Sequence, residues 1–186
     1  MENYTTYCWW TGDNELSENR KKSLETMKIA PGGNIVFIDK NNLKDYILTE
    51  HPLHEGYQYL SPIQKGDYLK CYFMHHYGGG YSDIKQTSKP WTEYFDRLGK
   101  DKNTPFTRDW WEALNEKMDG YLEELKKYPS QWPRDSHNHV NPNTGEKSKY
   151  PIAWAVLHGH VYHPLTLKYH KNIDQDLTYP VMSNYQ

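Results

Sequence analysis

The stretch HHYGGGYSDIKQT, His75 to Thr87, sets three consecutive glycines after an apolar run and an aspartate three residues beyond them. Glycines 78–80 permit positive φ and close approach of another backbone or of a ligand, whereas stopping a helix needs only one. Along an extended Tyr81–Lys85 segment, alternation sends Tyr81, Asp83 and Lys85 to one side and Ser82 and Ile84 to the other. One carboxylate and one amine therefore share a face just past a crowded turn. A second acid, Asp67, lies in the helix that precedes the glycines, with Cys71 and Met74 at i+4 and i+7. Aspartate is a poor helix former and needs a partner there, for which Lys70 at i+3 is one candidate.

The elements around these residues follow from pattern. YTTYCWW, Tyr4 to Trp10, is β-branched and aromatic and reads as a buried strand ending at Thr11-Gly12. Ser17 can cap a helix over ENRKKSLETMK, closed by Pro31-Gly32-Gly33. NIVFID is then a short continuous apolar run typical of a parallel strand. A second helix is expected from Asn42. In SPIQ, Ser61 is an N-cap, Pro62 takes the first helical position and Gln64 completes a capping box. The helix they open should run to Tyr77 and stop at Gly78. Tyr81 to Ile84 is the next strand, which makes the order that of an open, mostly parallel sheet flanked by helices. Ligands of such sheets sit at the carboxyl ends of the strands. Those ends are Trp10-Thr11-Gly12, Asp39-Lys40 and Asp83-Ile84-Lys85.

Beyond Trp91, DWWEALNEKMDGYLEELKKYP has apolar residues at helical spacing, with Trp110 and Trp111 assigned to the core. Pro129 to Pro151 has turn formers and no period, and reads as an extended loop. The apolar segment from Ile152 should pack back on the sheet. We expect one α/β domain over residues 1–186, with 1–90 as its ligand-binding part and 91–186 as a helical and loop part.

Composition narrows the classes. The chain has 186 residues, 36% hydrophobic and 25% charged, with formal net charge -2. That leaves no broad basic field for nucleic acid, and no apolar run approaches the roughly 20 residues that span a bilayer. Cys8 and Cys71 are too few for a disulfide framework, and no basic-then-apolar leader precedes the first strand, so the expected setting is the cytoplasm. The 17 Tyr and 7 Trp suit either a core built on large rings or stacking on sugars and bases.

KGDYLKCYFMHHYGGGYSDIK, Lys65 to Lys85, resembles the core of a sugar-transferring family. There an aspartate-tyrosine-leucine helix leads into tyrosine-glycine-glycine, an aromatic residue and a DXD motif. The family includes capsular-polysaccharide and mannosyl glycosyltransferases of the GT-A fold, and small glycosyltransferases encoded by large DNA viruses look similar. The resemblance implies a GT-A-like fold and transfer of a sugar from a nucleotide diphosphate donor, UDP by family habit, to a hydroxyl of a glycan acceptor. Carried over by position, Asp67 contacts the donor sugar or ribose, and Gly79, Gly80 and Tyr81 pass beside it. Asp83 is the first DXD acid, holding Mn²⁺ or Mg²⁺ on the diphosphate, and Trp10, Thr11 and Gly12 lie near the nucleotide base.

Lys85 stands where the family has its second acid. Two consequences follow: Lys85 itself neutralises the diphosphate, or, the expected case, its long stem turns outward and leaves Asp83 to anchor the cation with water and more distant ligands. Of the ten histidines, His137 and His139, or His158, His160 and His163, have spacings a metal could use, without a cysteine or acid at fixed spacing. A histidine near the donor suits deprotonation of the acceptor hydroxyl, and His160 is the candidate base. Three other classes compete: a carbohydrate-binding module, a histidine-based metallohydrolase, and an inactive relative that binds nucleotide sugar without turning it over.

Overall fold

The computed structural model describes residues 5–29, 33–88, 90–92, 96, 108–129, 143–145 and 181–183. Two compact units divide the chain: Met1–Tyr46, Phe73–Phe106 and Pro164–Gln186 form one, and Ile47–Tyr72 with Thr107–His163 form the other.

The first unit is a four-stranded sheet. β1 (Thr5–Trp10), β2 (Asn34–Asp39), β3 (Gly79–Tyr81) and β4 (Val181–Ser183) lie in the order β2-β1-β3-β4. β1 runs parallel to both neighbours, and β4 closes the edge antiparallel to β3. Thr6, Tyr7, Cys8 and Trp9 are all buried, as a central strand covered on both faces requires. Its register pairs Trp10 with Asp39 on one side and Tyr7 with Tyr81 on the other. The carboxyl ends of the three parallel strands thus point the same way.

Alternation along β1 assigns the two faces. Cys8 packs with Leu24 and Met27 of α1 (Glu18–Ile29), with Ile84 and Trp91, and against Trp10, Leu16, Ile35 and Phe37. Burying Leu24 and Met27 contributes roughly 1.5–3 kcal/mol each, enough to hold a helix whose other positions are mostly charged. On the opposite face Tyr7 and Trp9 meet Phe73 at ring-centroid distances of 5.1 and 5.6 Å, and Tyr7 meets Tyr77 at 5.9 Å. Burial pushes the Cys8 thiol up to about 12, so it serves as a small apolar side chain rather than a nucleophile.

The strand NIVFID and the helix after Ser17 form as expected, with Ser17 Oγ accepting the Arg20 amide at 3.3 Å. Three elements differ. From Asn42 only a single 3₁₀ turn forms, Leu43–Tyr46, because Asn42 is occupied in a reciprocal turn: Asp39 Oδ1 accepts the Asn42 amide and Asn42 Oδ1 accepts the Asp39 amide. Such side-chain bonds compete with helix propagation. The third parallel strand covers Gly79–Tyr81 instead of Tyr81–Ile84, because the chain after Ser82 turns onto α1. β4 carries no sequence signal, because its three residues are too short a pattern to read. Trp110 and Trp111 side chains, the segment from Ile152 to Pro180, and most of the 129–151 loop lie outside the described residues.

The second unit is built from α2 (Pro62–His76), whose residues through Tyr72 belong to it, a 3₁₀ helix at Glu55–Tyr59, and α3 (Arg108–Lys127). Its buried tyrosines act as ties. Tyr68 OH accepts the His54 amide at 2.9 Å, and Tyr72 OH accepts the Leu48 amide at 2.8 Å while donating to His51 O at 2.7 Å. Burial raises Tyr68 and lifts the Cys71 thiol to about 12. His54 caps the 3₁₀ helix through Nδ1, which accepts the Gly56 amide at 2.8 Å, and its Nε2 lies 3.0 Å from Asp119 Oδ1. Because Nδ1 accepts, Nε2 carries the proton. Gly56 fits against α3 so closely that a Cβ would stand 3.0 Å from Met118 Cε.

α2 begins with the capping box. Ser61 N donates to Gln64 Oε1 at 2.8 Å and Gln64 N donates to Ser61 Oγ at 3.3 Å, with both residues buried. Ser61→Ala should cost about 1 kcal/mol in urea denaturation, the usual loss for an N-cap hydroxyl. A change below about 0.3 kcal/mol would mean that the box adds nothing beyond the proline at the first helical position.

Candidate functional site

β1 is followed in sequence by β2 on one side, and the chain then crosses to place β3 on the other. Loops leaving the carboxyl ends of β1 and β3 therefore diverge, and such a divergence is where open parallel sheets bind ligands. Trp10-Thr11-Gly12 leave β1 there, and Ser82 to Lys85 leave β3.

The β3 side is held firmly. Ser82 N donates to Tyr7 O at 3.0 Å, extending the β1–β3 pairing by one residue. The Tyr81 ring lies on Trp9, with centroids 4.2 Å apart, and its hydroxyl donates to Asp83 Oδ1 at 2.6 Å. Ile84 turns the other way into the core. The next residues lie along α1, where Thr87 N donates to Thr26 Oγ1 at 3.0 Å and Thr87 Oγ1 to Lys85 O at 3.1 Å. The alternation expected for Tyr81, Asp83 and Lys85 holds, although the backbone after Ser82 is not a strand.

Lys85 does not turn away from the acid. Its Nζ is 3.3 Å from Asp83 Oδ2, and both side chains are 54% exposed. A further cation stands beside them that sequence reasoning missed. Arg20, in the first turn of α1, donates a guanidinium N–H to the carbonyl of Ile84, between Asp83 and Lys85 in the chain. Only the β1–α1 reversal suggests that this helix start returns to the sheet edge; nothing local to Arg20 does.

On the β1 side the Trp10 indole N–H donates to Asn14 O at 2.7 Å, folding the 11–14 loop beneath it. Asp13 pairs with Lys40 at 3.1 Å. Asp39 Oδ1 accepts the amides of Asn41 and Asn42, bonds that hold its carboxyl below the usual range, the Asn41 amide first. The Asp39-Lys40 cluster thus shapes its own turn.

The remaining expected residues fall elsewhere. Gly79 and Gly80 stand at the start of β3, Gly80 opposite Thr6. That is four residues from Trp10, or roughly 13 Å along a strand, so the structure does not bring them to the carboxyl edge. The crowding they relieve is by backbone: with φ +74° at Gly79, a Cβ there would lie 2.4 Å from Thr5 O. Asp67, in the second unit, pairs with Lys70 at 3.1 Å, each side chain 17% exposed. That satisfies the acid within its own helix. His137, His139, His158, His160 and His163 lie outside the described residues.

A hard divalent cation wants about six oxygen ligands. Among the described residues no group of three or more His, Cys, Asp or Glu could hold a metal ion. Asp83, the expected metal ligand, already carries an ammonium. Of the sequence-predicted site residues at this edge, Asp83 is the one carboxylate, and Lys85 Nζ lies 3.3 Å from it. No helix among the described residues is long and apolar enough to cross a membrane.

Residues 3–84 match the model of a family described as capsular polysaccharide synthesis protein. The match takes in β1, α1, β2, α2 and β3 and ends at Ile84, one residue before Lys85. It spans 82 residues (84 − 3 + 1) of the 186 in the chain. No curated protein and no solved structure matches the chain.

Proposed function

We propose that this chain is a glycosyltransferase of the GT-A type, moving a sugar from a nucleotide diphosphate donor, UDP-linked by preference, to a hydroxyl of a glycan acceptor in polysaccharide synthesis. The observation that carries the reading is the divergence point of the parallel sheet, where Asp83 accepts the hydroxyl of Tyr81, whose ring packs on Trp9, and pairs with Lys85. The family match over residues 3–84 supports it.

In this reading the base and ribose lie along Trp10-Thr11-Gly12, and the diphosphate and donor sugar lie toward Asp83 and Lys85. The acceptor oxygen attacks the anomeric carbon, and the bond from that carbon to the diphosphate oxygen breaks with its electron pair leaving on the phosphate. The hydroxyl proton passes to a general base. Holding donor and acceptor together replaces a bimolecular encounter by an effectively unimolecular one.

A carbohydrate-binding module would use aromatic rings, but among the described residues Tyr68, Tyr72, Tyr77 and Tyr81 each direct the hydroxyl to a group of the chain itself. The test is a screen of UDP-glucose, UDP-galactose, UDP-N-acetylglucosamine and GDP-mannose, in EDTA and in Mn²⁺. It reads melting temperature and released nucleoside diphosphate. A ligand that binds only the native state raises the midpoint. We expect one donor to do so and to be consumed when oligosaccharide acceptors are added. Binding of oligosaccharide with no response to any donor would favour the module instead, and donor binding with no turnover on any acceptor would favour an inactive relative.

A further inference from the structure

We infer that two side chains of this chain, Lys85 and Arg20, neutralise the donor diphosphate where a DXD pattern would set a divalent cation. The inference rests on the glycosyltransferase reading and specifies how its donor is held.

Three observations carry it. The position of the second acid is a lysine, and its ammonium sits 3.3 Å from the first acid rather than in solvent. A guanidinium from another element is fixed to the carbonyl of Ile84, the residue between them. Among the described residues no group of three or more His, Cys, Asp or Glu could hold a metal ion. A divalent ion at Asp83 would have to displace Lys85 and then sit beside two like charges, which Coulomb repulsion opposes in a partly shielded site. The same two charges suit a diphosphate. An ammonium has three donors, of which one satisfies Asp83, and a guanidinium has five in a planar fork that matches phosphate oxygens. Asp83 and the Ile84 carbonyl then act as positioning groups, holding each cation before the ligand arrives. As the anomeric carbon–oxygen bond breaks, the electron pair left on the phosphate oxygen is stabilised by both cations, and the leaving group needs neither a proton nor a metal.

The experiment is calorimetric titration of UDP, GDP, ADP and CDP into the full chain, in EDTA and in Mn²⁺. It is repeated for Lys85→Ala, Arg20→Ala, Lys85→Asp and the control Lys22→Ala, which removes a charge from an exposed position of α1. Thermal melts establish that each variant is folded. We expect one nucleotide to bind in EDTA, with Mn²⁺ changing its affinity by less than about threefold. Lys85→Ala and Arg20→Ala should each weaken metal-free binding by about tenfold or more, the scale of a charge-assisted bond. Lys22→Ala should bind like the parent, and Lys85→Asp, which rebuilds the second acid, should bind only with Mn²⁺. Binding by the parent chain that requires Mn²⁺, or unchanged metal-free affinity in either alanine variant, overturns the inference and leaves the glycosyltransferase reading standing. Failure of all four nucleotides to bind under both conditions overturns that reading itself.

Discussion

Asp83→Asn should reduce sugar transfer by about tenfold or more, the scale of the charge-assisted contact that positions the Lys85 ammonium, while leaving the melting temperature almost unchanged. The substitution is nearly isosteric, and an asparagine oxygen can still accept the Tyr81 hydroxyl that reaches Asp83 at 2.6 Å. What it loses is the charge that faces Lys85 at 3.3 Å. Because both partners are about half exposed, the pair itself adds no more than about 1 kcal/mol to stability. Activity and stability should therefore separate. Steady-state transfer assays beside thermal melts check this. A fallen melting temperature with normal turnover per folded molecule would make Asp83 a loop-stabilising residue only, and normal turnover with normal melting would remove it from the reaction.

Gly79→Ala should be the most destabilising single-atom-group addition among the glycines whose surroundings are described. Two costs combine. An alanine at φ +74° is in the left-handed region, and its Cβ would lie 2.4 Å from the backbone oxygen of Thr5. Strain at such a backbone costs on the order of 1–3 kcal/mol, and the overlap is with main chain of β1, which cannot rotate away as a side chain would. Relief requires β3 to shift from β1, losing the Thr6–Gly80 and Tyr7–Tyr81 pairing. We expect a loss of about 3–5 kcal/mol in all from strain plus overpacking, a large part of the stability of an ordinary domain. The matched control is Gly120→Ala in α3, where a Cβ meets nothing within 4 Å; it should stabilise by about 0.5–1 kcal/mol through helix propensity. Urea denaturation of both variants measures the contrast, and a loss below about 1 kcal/mol for Gly79→Ala would mean that β1 and β3 can separate freely.

That contrast also shows where sequence reading stops. Three glycines signalled crowding, and crowding is found, but whether a ligand or another backbone does the crowding depends on which strand lies opposite. Only the sheet order, with β3 beside the start of β1, assigns that place to Thr5. The alternation of Tyr81, Asp83 and Lys85 was legible because it is set by local backbone geometry, as were the capping box of Ser61 and Gln64 and the strands at Thr5–Trp10 and Asn34–Asp39. Asp67 was recognised as an acid in need of a partner, and the partner at i+3 is present because helix geometry guarantees that neighbour.

The sequence by itself determined the elements and local pairings, since propensity, capping and side-chain alternation act within a few residues. Tertiary structure alone decided what meets at the carboxyl edge. Arg20 and Ile84 are 64 positions apart, and no local rule joins them. They meet because α1 runs back along the sheet after β1 while the chain after β3 folds onto that same helix, burying Ile84 beside Leu24 and Met27. Burial of the Ile84 side chain thus brought a cation to the backbone carbonyl next to the acid, a consequence that hydrophobic packing enforces over a distance the sequence pattern cannot express.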